Sequence, residues 1–324
     1  MLEPRRSDAP HHRIGLGLAA LGRPAYLTSG RAQDLGEQRS VDDLQERTVR
    51  VLDAAYAGGV RYLDAARSYG RAEEFLAHWL RSRPEVDDVM VASKWGYRYV
   101  GDWRRVADEH EIKDHSVAAL RRQVEESRAI LGDRLSIYQV HSLTGESPVL
   151  HDTQAQQILA GLRDEGLRVG FSTSGPGQAD TIRAATRIEV GGMPLFSVVQ
   201  STWNLLEPSA GPALAEAARA GLSVVVKESV ANGRLTPSQP PDSPTVERAG
   251  SWADRLGVTL DQLAMAAALS NPWVDRVLSG AVTVPQVESH LGALQVELPP
   301  EVLEDLVAEE PVGYWERRSR RSWS

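Results

Sequence analysis

RYLDAARSYGRAEEFLAHWLRS, residues 61–82, shows the plan of the chain in one piece. RYLDAA (61–66) is a short apolar run, AEEFLAHWLRS (72–82) has apolar residues at helical spacing, and a polar, glycine-containing link joins them. The same order recurs along the sequence. RIGLGLAAL (13–21), VMVASKW (89–95), SIYQVHS (136–142) and LRVGFSTS (167–174) read as strands. So do FSVVQSTWN (196–204), SVVVKES (223–229) and RVLSGAV (276–282). Helical patterns follow them at 46–59, 117–132, 153–166, 178–187, 212–221, 245–257 with 260–270, and 285–294. Short apolar strands without alternation are buried on both faces, as parallel strands are. Eight such units predict a single-domain (β/α)8 TIM barrel over residues 13–310; an open doubly wound sheet is the alternative.

Composition narrows the function. The chain of 324 residues is 42% hydrophobic and 25% charged, an ordinary globular balance. A net charge of −8 and a pI near 5.6 argue against nucleic-acid or membrane-surface partners. With no cysteine, thiolate catalysis and disulfides are excluded, which suits a cytoplasmic location. MLEPRRSDAPHHR carries no apolar stretch, so residues 1–12 read as a flexible polar tail rather than a signal peptide. His11 and His12 have no evident third ligand, and no metal site is expected. No apolar run is long enough to span a bilayer. The glycines of GLGLAALG (15–22) are not followed directly by a helix and read as turn and packing residues, not as a Rossmann fingerprint.

Four polar residues stand at the ends of three of these runs: Asp64 and Tyr69, Lys94, and His141. In a barrel the C-terminal strand ends share one face, so these groups converge. Tyrosine is a poor acid at neutral pH, and a buried ammonium beside it is expected to lower its pKa. Asp64 would keep Lys94 charged, and His141 could hydrogen-bond a reacting oxygen. Lysine occurs only at 94, 113 and 227, the other 33 basic residues being arginine, and two of the three lysines follow apolar runs.

DAARSYG resembles the D-x-A-x-x-Y-G motif of the aldo-keto reductases, and SKW and QVHS resemble that family's Lys and His motifs. The likeness extends from GLGLAALG to GAVTVPQVESHL. It implies a (β/α)8 barrel, a bound nicotinamide cofactor and reduction of a carbonyl. By that resemblance Tyr69 is the general acid, Lys94 and Asp64 tune it, and His141 orients the carbonyl.

The resemblance also implies a cofactor site. Ser172, Thr173 (where Asn is usual) and Gln200 correspond to residues that hold the carboxamide. Where the family often has Tyr-Ser-Pro-Leu, this chain has Glu228 and Ser229, then Gly233, Arg234 and Leu235. A carboxylate cannot stack on a nicotinamide ring, so Trp203 or another aromatic supplies that face, or the ring is held differently. Gly280, Ala281, Gln286 and His290 match the adenosine-binding pattern, with His290 where Asn is common. NADP is the family default and Arg234 the candidate phosphate contact; NAD is the alternative.

Trp95 opens an aromatic loop, KWGYRYVGDW (94–103), and is, with Trp203, an expected substrate-pocket residue. The basic, aromatic tail at 311–324 either folds over the barrel mouth or is disordered. The expected function is hydride transfer from the cofactor to a small aldehyde or ketone. The alternatives are the reverse direction, as an aldose or alcohol dehydrogenase, and a non-turnover, cofactor-binding regulatory subunit. The sequence does not reveal the oligomeric state.

Overall fold

The computed structural model describes residues 10–26, 34–321 and 323. Of the expected N-terminal tail, residues 1–9 lie outside these, and Pro10–Arg13 form a 3-10 turn.

Tyr62, Ala92, Ile137, Val198, Val225 and Leu278 meet in one apolar cluster that plugs the axis of a closed barrel. The barrel strands are β1 (Ile14–Gly17), β2 (Tyr62–Asp64), β3 (Met90–Trp95) and β4 (Leu135–Leu143). They continue with β5 (Arg168–Thr173), β6 (Val198–Thr202), β7 (Ser223–Lys227) and β8 (Arg276–Ser279). All are parallel to their neighbours, and β1 closes the ring on β8 through Ile14↔Val277. The plug needs glycine at two strand positions. A Cβ at Gly15 would come within 2.8 Å of Leu278, and one at Gly170 within 2.7 Å of the Val198 carbonyl oxygen.

The helices wrap the outside: α1 (Val41–Ala57), α2 (Ala72–Arg81), α3 (Val117–Leu131), α4 (Thr153–Asp164) and α5 (Gln178–Thr186). Then come α6 (Gly211–Arg219), α7 (Pro244–Leu256), α8 (Leu260–Leu269) and α9 (Val284–Gly292). Most bury an apolar stripe on the barrel, as Leu44, Val51, Leu52 and Ala55 do in α1. Helix α1 starts five residues before its apolar pattern because Ser40 and Asp43 form a capping box. None of the described helices is long and apolar enough to cross a membrane.

Two features of the mouth differ from the sequence reading. The aromatic loop after β3 is an antiparallel hairpin, Tyr97–Tyr99 against Glu111–Lys113. After α10 (Pro300–Asp305), the C-terminal tail forms α11 (Pro311–Ser319), whose Tyr314 and Trp315 are buried.

Candidate active site

Above the apolar plug lies a polar layer built by inward-facing residues. Asp64 ends β2, and Lys94 stands one residue before the end of β3. Lys94 Nζ donates to Asp64 Oδ2 at 2.5 Å and to the Ala65 carbonyl oxygen at 2.9 Å. Gln200 Nε2 reaches across the barrel to Asp64 Oδ1 at 2.9 Å. The carboxylate is therefore fixed from two sides. A buried ion pair survives desolvation only with such added hydrogen bonds.

Tyr69 lies in the turn before α2, its Oη 3.4 Å from His141 Nε2, and the two rings meet edge-on. Ser68 Oγ lies 3.4 Å from His141 Nδ1, while His115 Nε2 donates to the His141 carbonyl oxygen at 2.8 Å. His141 is thus oriented through its ring and through its backbone. The four expected catalytic residues are together on one face.

Their proton affinities differ from expectation in one respect. The Tyr69 phenol lies above its ordinary value, not below it. Burial, then the Asp64 carboxylate, holds it well above its ordinary value, and Arg23 opposes this without reversing it. The Lys94 ammonium faces the Tyr69 ring at 5.0 Å from its centroid, with its hydrogen bonds spent on Asp64 and Ala65. A phenol kept protonated is the resting form a proton donor needs. Burial and the neighbouring Lys94 and Lys227 charges hold His141 well below its ordinary value, so its ring is neutral.

A cavity of about 560 Å³ opens on Asp64, Tyr69 and His141 and runs to the turn between β8 and α9. Its wall includes the expected cofactor residues Gln200, Glu228, Ser229, Gly233, Gly280, Gln286 and His290. A Cβ at Gly280 would meet nothing within 4 Å, so the chain leaves room there. A dinucleotide reaching from the tetrad to the β8–α9 turn fits this shape.

Other expected contacts are elsewhere. Trp95 is wholly buried against His115, and Trp203 packs edge-on to Trp273; neither lines the cavity. Thr173 faces outward to Ser201 Oγ at 2.8 Å, and Ser174 lines the cavity instead. Ser172 Oγ accepts from the Ser142 amide at 2.9 Å and supports the His141 loop. Leu235 and Ala281 are core residues off the cavity wall. Arg234 is clamped between Asp242 at 2.7 Å and Glu309 at 2.5 Å, so no charge is left over for a phosphate.

The site also holds charge partners that the motifs did not point to. Arg23 forms an ion pair with Glu111 at 2.9 Å and lies beneath the rings of Tyr26, Tyr69 and Trp323. Glu228, where the family has its stacking ring, is gripped by Arg318 of α11, with Arg318 Nε 3.0 Å from Oε2. Burial would raise the Glu228 carboxyl, but Arg318 and Lys227 outweigh it and hold it at about 2. Lys227 Nζ donates to Thr202 Oγ1 at 2.8 Å, and Thr202 donates in turn to Glu228 at 3.1 Å. Burial brings the Lys227 ammonium down to about 8. The scarcity of lysine pointed to Lys227 in advance, and its place next to Glu228 in the sequence suggested their pairing, seen here at 3.7 Å.

The chain belongs to the aldo/keto reductase family, whose sequence model matches residues 13–309. It is 25% identical to a probable voltage-gated potassium channel subunit beta of Oryza sativa, over 91% of this chain and 94% of that protein. It is 26% identical to norsolorinic acid reductase of Emericella nidulans, over 91% of this chain and 80% of that protein. Its fold matches that of glycerol dehydrogenase from Gluconobacter oxydans with a TM-score of 0.68 at 22% identity, covering 90% of each chain.

Proposed function

We propose that the chain is a nicotinamide-dependent reductase of small aldehydes or ketones, with Tyr69 as the general acid. The observation that supports this best is the placement of Tyr69 Oη 3.4 Å from His141 Nε2, in the wall of a cavity that Asp64 also lines, with Lys94 bound to Asp64. The cofactor, when bound, supplies the hydride that adds to the carbonyl carbon. Tyr69 gives its phenolic proton to the carbonyl oxygen, and the product is an alcohol. The neutral His141 ring holds that oxygen through Nε2. Lys94 then faces a newly formed phenolate and stabilises it until solvent returns the proton. Tyr97 and Trp323 line the same cavity and offer a substrate aromatic surface. The absence of cysteine suits a cytoplasmic enzyme. The reverse reaction uses the same groups with Tyr69 as base.

Tyr69→Phe tests the assignment. Turnover should fall by a factor of about 10² to 10⁴ while dinucleotide affinity stays within a factor of about two. A Phe variant that keeps most of its activity would overturn the role of Tyr69. Wild-type protein that binds dinucleotide but reduces no member of a broad carbonyl panel would favour the regulatory-subunit reading. The likeness to the rice channel subunit keeps that reading in view.

A further inference from the structure

Asp261 stands near the start of α8 in the cavity wall, on the β8 side of the mouth, whereas the tetrad stands on β2 to β4. Its side chain is only 6% exposed. Oδ2 accepts from Ser289 Oγ at 2.7 Å and lies 3.5 Å from His290 Nε2. Oδ1 is buried and has no hydrogen-bond partner within the protein. A buried carboxylate oxygen left unpaired is costly, so its position in a cavity wall calls for a donor from a bound molecule.

The surroundings say which donor. Among the described residues, the cations in the cavity wall are Arg23, Lys227 and Arg318, and each is committed to a protein partner: Glu111, Thr202 and Glu228. Arg234 is neutralised by two carboxylates outside the wall. His290 has Nδ1 on Ser279 Oγ at 2.7 Å and turns Nε2 to Asp261, so both ring nitrogens face protein groups. Part of the N-terminus of α9 is taken as well. Thr283 Oγ1 takes the Gln286 amide, the Val282 amide goes to Gln286 Oε1, and Pro285 has no N–H to offer. A phosphate here would meet a carboxylate and no uncommitted cation among the described residues. A ribose hydroxyl would meet the acceptor that lacks a donor.

We infer that Asp261 makes this cavity selective for the unphosphorylated dinucleotide, NAD(H), by accepting a hydrogen bond from the adenosine ribose 2′-hydroxyl and repelling a 2′-phosphate. The inference rests on reading the cavity as a dinucleotide site. It reverses the preference for NADP that the family resemblance carries.

Isothermal titration of the full chain with NADH, NADPH and 2′-deoxyadenosine NADH tests it. Wild-type protein should bind NADH at least about tenfold more tightly than NADPH, and the 2′-deoxy analogue about tenfold more weakly than NADH. Asp261→Asn should bring NADH and NADPH to within about threefold of each other, with melting followed by circular dichroism to show that it folds. The deoxy comparison needs no variant and stands if Asp261→Asn unfolds. Equal or tighter NADPH binding by the wild type, or an unchanged ratio in a folded Asp261→Asn, overturns the inference and leaves the reductase reading intact. Failure to bind any of the three overturns both.

Discussion

Lys94 gives its charge to Asp64 at 2.5 Å and only its face to Tyr69, 5.0 Å from the ring centroid. The pair therefore anchors the floor of the site first and acts on the phenol second.

Removing one partner should expose that order. Lys94→Met leaves the Asp64 carboxylate buried without its cation, a loss of about 3–5 kcal/mol. Adding Asp64→Asn to it should recover most of that stability and none of the turnover. Urea denaturation and a carbonyl-reduction assay check both halves. Recovery of activity in the double variant would contradict the site as described.

The histidines predict a pH dependence of stability. Burial, above all, holds His115 at about 4, and His141 also lies well below its ordinary value. Between those values and the unfolded value near 6.5, the unfolded chain binds more protons, so stability rises with pH up to about 6.5 and is flat in these groups above it. Denaturation at pH 5 and pH 7 should show the weaker protein at pH 5. His115→Gln should reduce the difference, and an unchanged slope would show that His115 does not carry it.

Lys227 predicts a pH dependence of binding. With its ammonium near 8 and in the cavity wall, the affinity of an anionic dinucleotide should fall as pH rises through about 8. Lys227→Met should bind more weakly at pH 7 and show no such fall. Fluorescence titration between pH 7 and pH 9 distinguishes the two curves.

Arg318 ties the C-terminal helix to the barrel through Glu228. Arg318→Ala should leave that buried carboxylate to Lys227 alone, lower stability by about 2–4 kcal/mol and open residues 311–324 to protease. Glu228→Gln in the same chain should restore part of the stability but not the protection. Limited proteolysis with mass detection reads the outcome.

Two glycines give a packing contrast. Gly170→Ala drives a Cβ to 2.7 Å from the Val198 carbonyl oxygen and should cost about 1–3 kcal/mol. Gly161→Ala, inside α4 with nothing within 4 Å, should instead stabilise by about 0.5–1 kcal/mol. Thermal melts that rank the two the other way would contradict the barrel packing.

Part of what the sequence reading misplaced was legible in it. Successive residues of a strand face opposite sides. With Lys94 turned inward, Trp95 had to face the helices, and Thr173 stands in the same relation to the inward Ser172. The hairpin after β3 was harder to see, because three-residue strands carry too few positions for a pattern.

The sequence by itself determined the eight strand–helix units and the four polar residues at the ends of strands. Both follow from local periodicity and from residues close along the chain. Tertiary structure alone decided that Glu228 is held by Arg318, 90 residues away, that Arg234 is neutralised by Glu309, 75 residues away, and that Asp261 keeps an unpaired oxygen beside His290. Burial and charge partners set these states, and both depend on which distant side chains the closed barrel brings together.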